Sequence, residues 1–138
     1  MNNNSIHHTA IISTNSILGK NVSIGPYCII EGDVIIGDNT KIDSHTVIKK
    51  YTTIGNNCEI FSHCVIGEIP QDKKYEGEKT NLSIGNNTVI REFCTLNRGT
   101  KESKITKIGN DCLLMAYVHV GHDCIIKNDI ILANGVQL

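Results

Sequence analysis

Aliphatic residues fall on almost every multiple of six along this chain: Ile6, Ile12 and Leu18 onward to Ile66, then Ile84, Ile90 and Leu96, then Ile108 onward to Leu138. Of the 23 such positions only Asp72, Glu78 and Glu102 break the run, and each lies in a polar stretch that reads as a loop. Neither the 3.6-residue period of a helix nor the two-residue period of a half-buried strand gives this spacing. A fixed period signals a stacked repeat architecture. Glycine often follows the aliphatic residue, as at Gly19, Gly37 and Gly55, and four residues after it comes a small or β-branched side chain such as Val22, Val34, Thr40 or Val118. Two inward positions in six predict a short strand and a tight turn, with glycine and asparagine supplying the positive φ that such corners need. Three units close one triangular coil of 18 residues, and coils pair with each other at about 4.8 Å. The 20 in-phase units therefore predict an all-β parallel helix of six to seven coils, about 30 Å tall, in one domain over residues 1–138. Two interruptions, roughly 68–82 and 101–107, read as loops inserted at corners.

Charge and composition narrow the function classes. With 13 basic and 14 acidic residues and a net charge of −1, the chain has no electrostatic footprint for nucleic acid or an anionic membrane. No apolar run is long enough for a membrane span, and the polar start does not read as a signal peptide. Six cysteines invite a disulfide or zinc reading, but Cys28, Cys58, Cys64, Cys94, Cys112 and Cys124 all stand four residues after a repeat aliphatic. That slot elsewhere holds Val, Thr and Ala, so they read as small buried hydrophobes, and free thiols suit a cytoplasmic protein.

Histidine is the side chain that titrates nearest neutral pH. His7 and His8 lie in a first unit expected to fray. His45 and His63 share a repeat slot 18 residues apart and are expected to stack as a surface ladder. His119 and His122 straddle Val120 in Tyr117-Val118-His119-Val120-Gly121-His122-Asp123-Cys124. His122 falls in a turn, facing outward, and Asp123 beside it is placed to fix its tautomer or strengthen it as a base. The first inserted loop concentrates charge, a proline and a tyrosine in a chain otherwise poor in them. The second carries less information.

The repeat, [Ile/Leu/Val]-Gly-x-x-[small]-x, resembles that of the hexapeptide-repeat family over essentially the whole chain, and this resemblance implies that the parallel β-helix is left-handed. Three segments are similar to one branch, the acyl-carrier-protein-dependent UDP-N-acetylglucosamine 3-O-acyltransferases that begin lipid A synthesis. They are Ile66-Gly67-Glu68 running into Gln71-Asp72-Lys73-Lys74-Tyr75-Glu76-Gly77-Glu78, Ile90-Arg91-Glu92 through Thr95-Leu96-Asn97-Arg98-Gly99-Thr100, and Leu113-Leu114-Met115 through His119-Val120-Gly121-His122-Asp123-Cys124 to Asn134. The resemblance implies that His122 is a general base for the sugar 3-hydroxyl, held by Asp123. It implies substrate contacts at Gln71, Asp72, Lys74 and His119, with a milder one at Asn97, where some members carry histidine. It also implies a homotrimer with sites between subunits, acyl carrier protein as the acyl donor, UDP-N-acetylglucosamine as the acceptor, and no cofactor. Zinc sites of the three-histidine kind found in some relatives place two ligands five residues apart. His119 and His122 are three apart, and no metal is expected.

The same resemblance implies further coils and a helical region beyond Leu138. Those would carry the oxyanion donor, the groups that measure acyl length, and most carrier-protein contacts. A non-catalytic trimeric β-helix that binds sugar nucleotide or a partner therefore stands as an alternative. An acetyl-CoA-dependent sugar acetyltransferase stands as a weaker one.

Overall fold

The computed structural model describes residues 2–138, and over them the chain forms nineteen short strands and no helix. The strands fall into three parallel sheets of seven, six and six strands, the three faces of a left-handed parallel β-helix. Face A holds Ser5–Ile6, Ser23–Ile24, Lys41–Ile42, Glu59–Ile60, Val89–Ile90, Leu113–Leu114 and Ile131–Leu132. Face B holds Ile11–Ile12, Ile29–Ile30, Val47–Ile48, Val65–Glu68, Thr95–Asn97 and His119–Val120. Face C holds Ile17–Leu18, Ile35–Ile36, Thr52–Ile54, Asn81–Ile84, Ile105–Ile108 and Ile125–Ile126. The usual right-handed preference of parallel crossovers rests on strand twist, and strands of two residues accumulate little of it. The first unit is a paired rung, since Ser5 and Ile6 lie against Ser23 and Ile24.

The repeat aliphatics form the core. Ile30, Ile48, Ile66, Ile90 and Leu96 are all fully buried. The second inward slot is rich in Thr and Cys, and here the cysteines do more than fill space. The thiols of Cys28, Cys58 and Cys64 each donate to a carbonyl of the next coil at 3.0 Å. The hydroxyls of Thr40, Thr46 and Thr88 do the same at 2.8–2.9 Å. At these positions the slot supplies small donors that satisfy corner carbonyls, while Val22, Val34 and Val118 in the same slot only fill space. All six cysteines are unpaired, and only Cys124 is not fully buried.

The corners bear out the asparagine half of one expectation and correct most of the glycine half. The left-handed residue is the third after the aliphatic: Asn21, Asn39 and Asn57 at the C-to-A corner, Tyr27, His45 and His63 at A-to-B, and Asp33, Tyr51 and Asp123 at B-to-C, all with φ between 55° and 65°. Of the glycines that directly follow a repeat aliphatic only Gly67, among the described residues, has positive φ. Glycine is needed because coils approach closely. A Cβ on Gly55 would strike the Asn86 side chain and lie 2.8 Å from the Gly85 carbonyl. Rings hold the A-to-B corner: Tyr27, His45, His63, Phe93 and Tyr117 stack in one column with centroids 4.8–5.1 Å apart. The expected pairing of His45 with His63 lies within it, the two rings nearly parallel at 3°. Such stacking offsets the cost of bulky residues at positive φ.

Both inserted loops end earlier than the sequence pattern implied. Face C resumes at Asn81 and again at Ile105, so the loops occupy 69–80 and 98–104. Leu82 and Thr106 are buried strand residues. Both fill the second inward slot, so each strand begins before the next repeat aliphatic arrives.

Candidate active site

Register places three chemically distinct segments at one corner. Thr52 pairs with Leu82, thirty positions on, and Leu82 with Thr106, twenty-four on, whereas Ile35 pairs with Thr53 at the usual eighteen. The first insertion therefore adds twelve residues and the second six, both between face B and face C. The next turn of that corner carries His122 and Asp123. The three segments consequently stack along one edge of the prism.

Within the first insertion Asp72 builds its own turn: its Oδ1 accepts the Lys74 N–H at 2.9 Å and its carbonyl accepts the Tyr75 N–H at 3.0 Å. This is the local bonding that suits Asp to tight turns. Asp72 Oδ2 is left 4.0 Å from His122 Nε2. On its other side His122 Nδ1 lies 2.9 Å from Asp123 Oδ2. The Asp123 carboxylate also accepts the Thr100 N–H at 2.8 Å and the hydroxyls of Thr100 and Ser103. Burial by itself raises the Asp123 carboxyl, but the donors from Ser103, Thr100 and His122 outweigh it and hold the group well below the usual carboxylate range.

An ionised carboxylate can only accept. Nδ1 of His122 must therefore carry the proton shared with Asp123, and in the neutral ring Nε2 keeps its lone pair. Nε2 faces a cleft of about 90 Å³ lined by Asp72, Lys74, Tyr75, Glu78, Thr100, Lys101, Glu102, His122 and Asp123. The arrangement suits proton abstraction: an oriented imidazole with a free nitrogen, beside a lysine able to meet an anionic group. A larger cavity of about 610 Å³ opens on face B between Ile11, Ile29, Lys49 and Glu68. No histidine lines it.

Four of the expected site residues, Asp72, Lys74, His122 and Asp123, thus meet in one cleft. Three do not. Asn97 was expected to face a sugar or phosphate, but it is 3% exposed and its amide donates to the Ile69 carbonyl at 3.0 Å. It holds the root of the loop. His119 points outward from face B, with Nδ1 2.8 Å from the Thr95 hydroxyl. Gln71 is exposed on the insertion and does not line the cleft. Thr100 and Ser103 were missed as partners of Asp123. Counting register across both insertions would have set the second loop beside Asp123. Among the described residues no group of three or more His, Cys, Asp or Glu side chains is placed to hold a metal ion. Nor is any helix there long and apolar enough to cross a membrane.

Comparison with known proteins agrees with the fold. Residues 15–50, 33–68 and 105–138 match the family described as bacterial transferase hexapeptide (six repeats). The chain is 62% identical over 120 residues to the acyl-[acyl-carrier-protein]–UDP-N-acetylglucosamine O-acyltransferase of Chlorobaculum tepidum, covering 87% of this chain and 46% of that one. It is 56% identical over 134 residues to the protein of that name from Thiobacillus denitrificans, covering 96% and 51%. Among solved structures, LpxA from Acinetobacter baumannii superposes with a TM-score of 0.94 at 50% identity, covering 96% of this chain and 52% of that one. The chain spans about half the length of these relatives. With family matches over more than half of its residues, carried by the repeat that builds its three faces, the chain belongs to the bacterial hexapeptide transferases.

Proposed function

We propose that this chain carries the acyl-transfer site of an acyl-carrier-protein-dependent UDP-N-acetylglucosamine O-acyltransferase. The observation that carries the reading is His122, fixed at Nδ1 by Asp123 and open at Nε2 to the cleft that also holds Asp72 and Lys74. Nε2 takes the proton from the sugar 3-hydroxyl as its oxygen attacks the thioester carbonyl of a 3-hydroxyacyl carrier protein. The C–O bond forms, the C–S bond breaks, and the departing thiolate takes the proton back from His122. Atoms and charges balance with no cofactor. Base assistance of this kind is typically worth about 10²–10⁴-fold. Asp72 and Lys74 contact the nucleotide sugar, with Lys74 serving its diphosphate as a point charge. Gln71 and His119, outside the cleft of one protomer, are the remaining candidates for substrate contact.

A homotrimer completes the site. Ligand pockets usually enclose about 300–1,000 Å³, far more than the 90 Å³ cleft offers. Exposed Ile11 and Ile29 on face B, and Ile17 and Ile125 on face C, supply apolar surface for neighbours to cover. Six unpaired thiols fit a reducing cytoplasm.

The test is turnover of UDP-N-acetylglucosamine with 3-hydroxyacyl carrier proteins by this chain and by His122→Ala, together with calorimetric binding of the sugar nucleotide to Asp72→Ala and Lys74→Ala. Activity that disappears with His122, and affinity that falls in both loop variants, support the assignment. Unchanged binding in both loop variants overturns their roles, and turnover that survives His122→Ala overturns the base.

A further inference from the structure

We propose that Arg98 is the positioning residue of this site: its guanidinium fastens the middle of the first insertion to the β-helix and thereby sets Asp72 and Lys74 across from His122. The inference rests on the acyltransferase reading for what the loop contacts, but not for how the loop is held.

Arg98 is 1% exposed and is the largest fully buried side chain among the described residues. Burying a guanidinium is costly unless it is paired with a carboxylate, and among the described residues Arg98 joins no ion pair. Its acceptors are all neutral. Nη1 donates to the Gly67 carbonyl at 3.1 Å and to the Lys50 carbonyl at 3.4 Å, Nη2 donates to the Tyr75 hydroxyl at 3.2 Å, and Nε has no partner. The guanidinium carbon sits 5.5 Å from the centre of the Tyr51 ring. An apolar side chain would fill such a space at lower cost, so the charge is not explained by packing.

The partners explain it. Lys50 and Tyr51 form the same corner two coils before Arg98 and one coil before the first insertion. Gly67 lies in the face-B strand Val65–Glu68, at the irregularity just before the first insertion. Tyr75 stands in the middle of that insertion, next to Lys74 and three residues after Asp72, and its hydroxyl donates onward to the Glu78 carbonyl at 2.9 Å. Arg98, Tyr75 and Glu78 therefore form a strut across the loop, anchored in the coil. The loop's base is held separately by main-chain bonds, Arg98 N–H to the Glu68 carbonyl at 2.9 Å and Gly99 N–H to the Asn81 carbonyl at 3.2 Å. Side chain and backbone of one residue thus play separate parts. The backbone closes the loop, and the guanidinium sets where its middle lies. A lysine carries the charge but not the fork that reaches Gly67 and Tyr75 together.

Tyr75→Phe tests this with the least disturbance, because it cuts the strut and leaves Arg98 and the β-helix in place. Arg98→Lys tests the fork. The readouts are tryptic cleavage at Lys73 and Lys74, calorimetric affinity for UDP-N-acetylglucosamine, and the thermal midpoint of the β-helix. In Tyr75→Phe, cleavage is expected to rise and affinity to fall by about tenfold each, the size of one hydrogen bond to a charged group, with the β-helix still folded and its midpoint lowered by only a few degrees. Arg98→Lys should equal or exceed this in cleavage and affinity. Wild-type cleavage rates in Tyr75→Phe overturn the proposal, even if Arg98→Lys fails to fold. Faster cleavage with unchanged affinity also overturns it, because the loop would then be held without serving the site. If the parent chain itself binds no sugar nucleotide, the acyltransferase reading fails instead, and the cleavage comparison still decides whether Arg98 holds the loop.

Discussion

Two corners of this prism have the same backbone and different uses. At the C-to-A corner Asn21, Asn39, Asn57, Asn87, Asp111 and Asp129 sit in the left-handed region at φ 55–60°. Along that edge each coil satisfies its neighbour: Asp38 Oδ1 accepts Lys20 N–H, Asn56 Oδ1 accepts Asp38 N–H, Asn86 Oδ1 accepts Asn56 N–H and Asn110 Oδ1 accepts Asn86 N–H, all at 2.7–2.8 Å. Side-chain amides continue the ladder from Asn21 to Asn39 and from Asn39 to Asn57. These polar groups are engaged by the repeat itself. At the B-to-C corner Asp33, Tyr51 and Asp123 adopt the same turn at φ 56–65°, but two insertions part the coils. Polar groups there turn to one another and to open space. A corner is structural where its hydrogen bonds close on the repeat, and becomes a candidate site where an insertion leaves some of them to be filled.

On this division, substitutions at the two corners should separate stability from chemistry. The largest effect is expected from His122→Ala, a loss of about 10²–10⁴ in turnover with the urea midpoint unchanged. A matching fall in stability would mean that the site corner is also a rib. Next comes Gly55→Ala at the rib. Its methyl has no room against Asn86 and Gly85, so unfolding free energy should drop by about 2–3 kcal/mol while sugar-nucleotide affinity in the folded fraction holds.

A third test concerns pH. Because the folded-state value of Asp123 is depressed, the stability it contributes is present above its unfolded value, near ~4, and is lost as the pH falls toward the folded value. Replacing both hydroxyl donors with Thr100→Val and Ser103→Ala should flatten the acid limb of the stability curve below about pH 4, read by urea unfolding at successive pH values. An unchanged limb would show that the donors do not hold the carboxylate. The smallest effect is expected from Asn39→Ala, about 1–2 kcal/mol from two lost, exposed ladder bonds and a left-handed alanine, with no change in ligand binding.

The fold was legible because one slot is aliphatic at every sixth residue, and both insertions happen to add multiples of six, so the phase survives them. Their far ends were misjudged because Leu82 and Thr106 belong to the second inward slot, which a reading of the first slot passes over. The glycines were assigned to the wrong cause: close approach between coils, not φ, excludes a side chain at Gly55. In the site, His122, Asp123, Asp72 and Lys74 stood out through local motifs. Arg98 did not, because its partners Lys50, Gly67 and Tyr75 lie 48, 31 and 23 residues away, and no local pattern shows that a guanidinium is buried. Ser103 was hidden for a related reason, since its contact with Asp123 spans an irregular loop.

The eighteen-residue spacing of paired positions makes this chain a clock with eighteen hours. Removing eighteen residues from an uninterrupted stretch shortens the prism by one turn of the dial and returns every later side chain to its old hour. Removing the six residues from Gly85 to Ile90 would keep every aliphatic pointing inward, and the chain would still have a core. Each later residue would nevertheless arrive one third of a turn early. His122 would strike at the aromatic edge, out of reach of Asp72, in a protein whose hydrophobic pattern gives no sign of the change.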